Sequence, residues 1–146
     1  PGKRIILSGI MAEPDGLLSL FKEFGFAIVD DDLAQESRQF RSDVPVCVDP
    51  VYGLARWWQE LEFCSLATDP RKPRAEKLVE MAKRHKADGV ILCQMKFCEP
   101  EEFDYPIIYP ALDAAGIRNL MIEVDLEASS FEQIKTRLQT FTEILS

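Results

Sequence analysis

Arg4 to Ser8 (RIILS) form a short apolar run closed by Gly9, and the next apolar residues change spacing. Leu17, Leu18, Phe21 and Phe24 recur at helical intervals after Pro14 and stop at Gly25, so the pattern predicts a strand followed by a helix. Ala27 to Val29 is too short for a helix and runs into Asp30, Asp31 and Asp32, which predicts a second strand ending in an acidic loop. Regular patterning returns at Arg74 to His85, where Leu78, Val79 and Ala82 share one face and Lys83, Arg84 and His85 lie near the negative helix end. Asp88 and Gly89 turn the chain into VILCQM, apolar at nearly every position, as a parallel strand covered on both faces should be. A helix at Pro110 to Ala115 ended by Gly116, a strand at Asn119 to Val124, and a last helix complete the series. Ser130 and Gln133 have the spacing of a capping box for that last helix, and Phe131, Ile134, Leu138, Phe141 and Leu145 form its apolar stripe.

Strands alternating with helices predict a three-layer α/β domain of the flavodoxin-like, or Rossmann-like, kind with a four-stranded parallel sheet in the order 2-1-3-4. Between residues 33 and 73 the pattern loosens into an irregular insertion in which prolines, arginines, Trp57 and Trp58 are interleaved, with one helix expected at Val51 to Leu61. A long insertion of this kind usually carries function. The two tryptophans are expected either in the core or against a further domain.

In such a sheet, ligands bind beyond the carboxyl ends of the strands where the order reverses, here between the first and third strands. Ser8 to Met11, including Ser8 and Gly9, and Lys96 to Glu99 are the residues expected to face that crevice. Cys98 therefore lies where this fold places ligands, whereas Cys93 lies inside a strand, where a thiol behaves as a small hydrophobe. Lys96 is placed to meet an anionic group or to stay solvated.

Composition narrows the chemistry. The chain has 146 residues, 47% hydrophobic and 29% charged, enough for one domain with its own core, and residues 1–146 are read as a single unit. A formal charge of −8 argues against nucleic acid or an anionic membrane surface as partner. No apolar stretch reaches membrane-spanning length, and PGKRIILSG lacks the features of a signal peptide, so a cytoplasmic protein is expected. Cys47, Cys64, Cys93 and Cys98 are too sparse for a disulfide scaffold and suit a reducing compartment. Starting at a proline directly before a strand, the sequence reads as a piece of a longer protein.

Several acid–base and cofactor chemistries lack their residues. One histidine, His85, cannot build a Ser-His-Asp or His-rich metal set and is read as surface charge. The turn after the first strand (SGIMAEPDG) has no G-x-G-x-x-G, so Asp30 to Asp32 are read as a solvated, helix-capping acidic loop rather than a ribose site. That turn also lacks the Ser and Thr run expected of a flavin phosphate cradle.

The run ADGVILCQMKFCEPEEFDYP, followed by ALDAAGI, IEVDLE and QIKTRLQTFTEIL, resembles the subunits of the 2-hydroxyacyl-CoA dehydratase and benzoyl-CoA reductase family, of the 2-hydroxyglutaryl-CoA dehydratase D-component type. The earlier VDDDLAQESRQF resembles the family's element after the second strand, although Ala34 and Glu36 stand where cysteine or glycine is expected and the surroundings of Cys64 (LEFCSLATDP) match loosely. The resemblance covers Arg4 to Leu145 and implies the C-terminal portion of a larger subunit. It implies that Cys98 is one ligand of a [4Fe-4S] cluster whose other ligands lie upstream, with Cys64 a weaker candidate, and that this portion alone holds no cluster. Also implied are an acyl-CoA substrate, a ketyl-radical dehydration or an aromatic-ring reduction, a second homologous subunit and an ATP-dependent activator protein. No G-x-x-x-x-G-K-[ST] occurs here, so ATP would belong to the activator. The alternative is a flavodoxin-like binding or scaffold module in which Cys98 is incidental.

Overall fold

Every second residue of a strand faces the same side, and here both sides are apolar. Ile5 and Leu7 pack with Ile91, Cys93, Ile122 and Val124 on one face, while Ile6 packs with Val90 and Leu92 on the other. The computed structural model describes residues 2–13, 15–61, 64, 71–128 and 130–146. Its strands are β1 (Lys3–Gly9), β2 (Phe26–Leu33), β3 (Gly89–Met95) and β4 (Arg118–Val124), all parallel in the order β2-β1-β3-β4, as the alternation of elements predicts.

Helices α1 (Asp15–Glu23) and α5 (Glu132–Ile144) cover the first face through Leu17, Leu20, Phe21, Leu138 and Phe141. Helices α3 (Arg74–His85) and α4 (Glu99–Ala114) cover the second through Leu78, Met81, Ala82, Ile108 and Leu112. The order numbers skip one helix, α2 (Pro50–Gln59), which belongs to neither layer and lies in the insertion after a 3-10 turn at Ser37–Phe40. Leu20 rather than Leu18 fills the core position of α1, and Leu18 is exposed. Pro14 lies outside the described residues.

Three expectations are corrected. The second strand does not stop at Val29: β2 runs to Leu33 and takes in all three aspartates, because Ser8 in β1 pairs in register with Asp32 and offers it a hydroxyl. The helix expected at Pro110 to Ala115 begins eleven residues earlier, at Glu99. Pro100 sits in its first turn, where no backbone N–H is needed, and Pro106 and Pro110 lie on the exposed side, where water can reach the freed carbonyls. The capping box at Ser130 and Gln133 does not form: Phe131 occupies the N-cap position without a side-chain cap bond. Its ring closes over Gly16, where an added Cβ would come within 2.7 Å of it, and that packing fixes where the helix starts.

Gly9 is a strand position that admits no side chain. Its φ is +150°, and a Cβ there would stand 2.1 Å from the Cys93 carbonyl oxygen on β3. Gly9→Ala should therefore cost about 2 kcal/mol or more, read as a lower urea midpoint at unchanged slope; a variant as stable as the parent would contradict this packing of β1 on β3.

Candidate functional site

The carboxyl edge of the sheet, where β1 and β3 end, is walled by the turn that follows β3. After Met95 the chain turns through Lys96 and Phe97 to Cys98, the N-cap residue of α4. Phe97 holds a left-handed backbone, φ +65°, which costs a residue with a Cβ about 1 kcal/mol, and its ring is 85% exposed. Cys98 N–H donates to the Met95 carbonyl at 3.0 Å, and the Cys98 carbonyl accepts from Glu102 N–H at 3.1 Å. The half-buried thiol of Cys98 caps no helix amide, so its sulfur is not engaged by α4. Glu99 is exposed and helical, the first residue of α4 rather than part of a loop.

Lys96 N–H donates to the Val124 carbonyl at 2.9 Å, tying the turn to the end of β4. Its ammonium lies 3.5 Å from Asp125 and 5.4 Å from the centre of the Phe97 ring. Together with Asp125, Ser130 and the start of α5 it borders a cavity of about 450 Å³.

Behind this wall lies a buried ionic cluster. Arg74, the first residue of α3, donates to Glu101 at 2.7 and 3.0 Å, to Asp32 at 3.0 Å and to Ser8 Oγ at 2.8 Å. Arg38 donates to Asp32 and to the carbonyls of Gly9 and Asp32 at 2.8 to 3.2 Å, and Arg41 reaches Asp32 at 2.6 Å. Asp104 takes Lys72 at 2.7 Å. Two strands, the insertion and two helices are thus joined at the carboxyl edge of the sheet. Ser8, expected to face a crevice, does not: its Oγ is fully buried, donating to Asp32 and accepting from Arg74 within the cluster.

Burial alone would raise the Asp32 carboxyl, but Arg38, Arg74 and Arg41 outweigh it and hold the group below its ordinary value of 3.8. Burial opposes the charge of Arg74, and Asp32 with Glu101 more than restores it, raising that group. Asp32 is therefore an anion at neutral pH. The reading of Asp30 to Asp32 as a solvated loop is corrected: Asp32 is buried, Asp31 accepts from the Leu33 and Ser37 amides, and Asp30 pairs with His85 at 2.9 Å and Arg84 at 3.3 Å. His85 is thus tied to β2 rather than being free surface charge.

The cysteines separate by environment. Cys93 is buried inside β3, and that burial, with Glu101 nearby, pushes its thiol up to about 12, which leaves it inert. Cys47 is exposed. Cys64 is half-buried and lies 3.9 Å from Arg38 Nη1, while the same nitrogen lies 3.8 Å from Glu101 in the first turn of α4. Among the described residues no three His, Cys, Asp or Glu side chains are grouped as a metal site. Cys98 accordingly fits a multinuclear iron centre only as one thiolate among ligands supplied from elsewhere.

Sequence reasoning placed Cys98 and Lys96 just past the end of β3, where the structure has them, but did not anticipate the ionic cluster behind them. One signal was available: Glu101, Asp104, Ile108 and Leu112 form a single helical stripe that is buried along its whole length. A stripe that starts with two acids before turning apolar marks buried carboxylates in need of cations.

A protein-family model described as 2-hydroxyglutaryl-CoA dehydratase, D-component, matches residues 1–145. The chain is 52% identical to the lactoyl-CoA dehydratase subunit beta of Anaerotignum propionicum, over 99% of this chain and 39% of that protein. It is 44% identical to the (R)-phenyllactyl-CoA dehydratase beta subunit of Clostridium sporogenes, over 99% and 38%. Identity to the (R)-2-hydroxyglutaryl-CoA dehydratase subunit beta of Acidaminococcus fermentans is 35%, over 99% and 39%. The chain spans about two fifths of the length of these relatives.

Removing one partner of a buried ion pair leaves the other charge stranded, so Asp32→Asn should cost about 3 kcal/mol or more in urea unfolding at pH 7. The depressed Asp32 carboxyl contributes stability that is complete above its unfolded value and is lost as pH falls through the folded one. Stability measured from pH 6 downward should therefore drop below pH about 4 in the parent and drop less in Asp32→Asn; parallel curves would contradict the assignment.

Proposed function

The chain belongs to the 2-hydroxyglutaryl-CoA dehydratase D-component family, and from that premise we propose that the intact protein is a subunit of a 2-hydroxyacyl-CoA dehydratase in which Cys98 is one thiolate ligand of a [4Fe-4S] cluster. The observation that supports the reading is the place of Cys98: a half-buried thiol, uncommitted to its helix, just past the carboxyl end of β3, the edge of the sheet where folds of this kind bind ligands. The lactoyl, phenyllactyl and 2-hydroxyglutaryl groups named for the relatives are all 2-hydroxyacyl groups, which supports that substrate class.

Such a cluster would lend one electron to the thioester carbonyl, so that the neighbouring hydroxyl could leave as hydroxide; after loss of a proton from the next carbon the electron would return, for a net loss of water. The chain's own residues orient and enclose. The clamp of Arg74 on Glu101 holds the first turn of α4, and with it Cys98, against β1 and β2. Gly9 lets β1 and β3 approach closely enough for that turn to sit over both. Phe97, adjacent to Cys98 on the turn, presents an exposed apolar ring. Lys96, on the rim of the neighbouring cavity, is the cation of this turn suited to an anionic portion of a coenzyme A thioester. Glu99, exposed beside Cys98, lies on the same face. Cys64, coupled through Arg38 to Glu101, is the second thiol of interest.

The remaining thiolates, the second homologous subunit and an ATP-dependent activator that delivers the electron complete the proposed system. No helix among the described residues is long and apolar enough to cross a membrane, and the cysteines among them are free thiols, which supports a reducing, cytoplasmic setting.

Iron and acid-labile sulfide per chain, measured in the intact subunit purified without oxygen, test the reading. The parent and a Cys47→Ala control should carry about four iron atoms per cluster, and Cys98→Ala should lose the cluster or change its spectrum. A full, spectrally unchanged cluster in Cys98→Ala would remove Cys98 from the ligand set.

A further inference from the structure

The insertion carries an apolar surface that the folded domain does not use. Residues 43–47, outside any helix or strand, lie alongside α2, which approaches them at Gly53, where a Cβ would stand 2.8 Å from Cys47 Sγ and 2.9 Å from the Pro45 carbonyl oxygen. Trp57 Nε1–H secures the pairing by donating to the Ser42 carbonyl at 3.0 Å. That inner face of α2 is therefore occupied. The opposite face is not: Val51, Leu54 and Trp58 recur at i, i+3 and i+7, the spacing of a buried stripe, and are all exposed, Trp58 by 72%.

Val46 and Val48 extend the apolar surface from the neighbouring stretch, both fully exposed. The charges of α2 do not compete for the stripe, since Arg56 pairs with Glu60 on the same helix. Among the described residues, no strand or other helix packs on α2 to the extent that the layers of the domain pack on each other. A cleft of about 590 Å³ separates the base of this arm, at Phe40, Arg41 and Leu61, from Met81 and Arg84 of α3. An apolar surface of this extent is a docking surface rather than scattered exposure.

We propose that residues 44–58 form the seat of the remaining lobe of the same subunit polypeptide, with Trp58 as the anchor in an uncharged apolar groove of that lobe. The relatives each carry more than half their length outside the matched portion, so a covalently attached occupant of sufficient size is at hand. Tethering gives it an advantage over any free partner, because docking then costs no loss of translational freedom. The neutrality of the stripe fits an apolar intramolecular seam better than the charged rim of a transient contact. This inference concerns assembly of the polypeptide and does not rest on the cluster assignment.

The intact subunit, isolated from its partner subunit, provides the test. Alkylation of Cys47 and amide exchange over residues 43–48, which lie outside any helix or strand, should both be at least about tenfold slower than in the urea-unfolded protein. The double variant Val51→Asp and Trp58→Asp, both exposed in the domain, should restore fast reaction at these positions while β1 and β3 stay protected. Fast reaction in the unsubstituted subunit would overturn the proposal. Protection that appears only on adding the second subunit, or only at concentrations where the subunit self-associates, would also overturn it by assigning the surface to a different occupant. Protection unchanged in the double variant would show that something other than the stripe covers the arm, and the proposal would fail.

Discussion

A carboxylate with no access to water, gripped by three guanidinium groups, is the constraint around which this domain is arranged. Asp32 ends β2 pointing inward, and its charge is tolerable only because Arg38, Arg41 and Arg74 converge on it from the insertion and from α3. Arg74 then has donors left over for Ser8 and Glu101, so the same cation that neutralises β2 also fixes the start of α4. Apolar residues of equal volume would hold these elements together at least as well. What ions add is geometry: a bidentate Arg–carboxylate pair fixes distance and angle, whereas an apolar contact tolerates sliding.

That geometry is set one helical turn from Cys98. Glu101 and Asp104 open the stripe that Ile108 and Leu112 continue, so α4 is apolar where it crosses the middle of the sheet and ionic where it reaches the carboxyl edge. The turn that carries Cys98 is thereby anchored by side chains that need not touch anything bound at the thiol. In the proposed reading the division of labour follows: Cys98 binds, Arg74 and Glu101 position, and the left-handed turn at Phe97 stores the local strain that sets the thiol apart from the helix.

How much of this the sequence discloses follows from which interactions are periodic. Parallel strands buried on both faces announce themselves as apolar runs, so RIILS and VILCQM read directly, and their alternation with helical stripes is enough for the 2-1-3-4 order. Ionic burial leaves no periodic trace. Asp30 to Asp32 look like a loop because unpaired aspartates belong in water, and here each is paired: Asp32 by Arg38, Arg41 and Arg74, from up to 42 residues away, Asp31 by backbone amides and Asp30 by Arg84 and His85. Proline misled in the same way: Pro100, Pro106 and Pro110 break a helix in general, but here one occupies the first turn and two face solvent. The position of Cys98 past the third strand was legible because the order of elements sets it, whereas the ionic cluster beneath is a property of the tertiary structure.

The central claim is that this edge of the sheet, held by the Asp32 cluster, presents Cys98 to iron. A crystal structure of the intact subunit, prepared and frozen without oxygen and phased on the iron anomalous signal, examines it most directly. The account predicts an anomalous peak bonded to Cys98 Sγ, with Arg74 still bridging Asp32 and Glu101 behind it. An iron centre ligated elsewhere, with the Cys98 thiol free in the crevice, would contradict it.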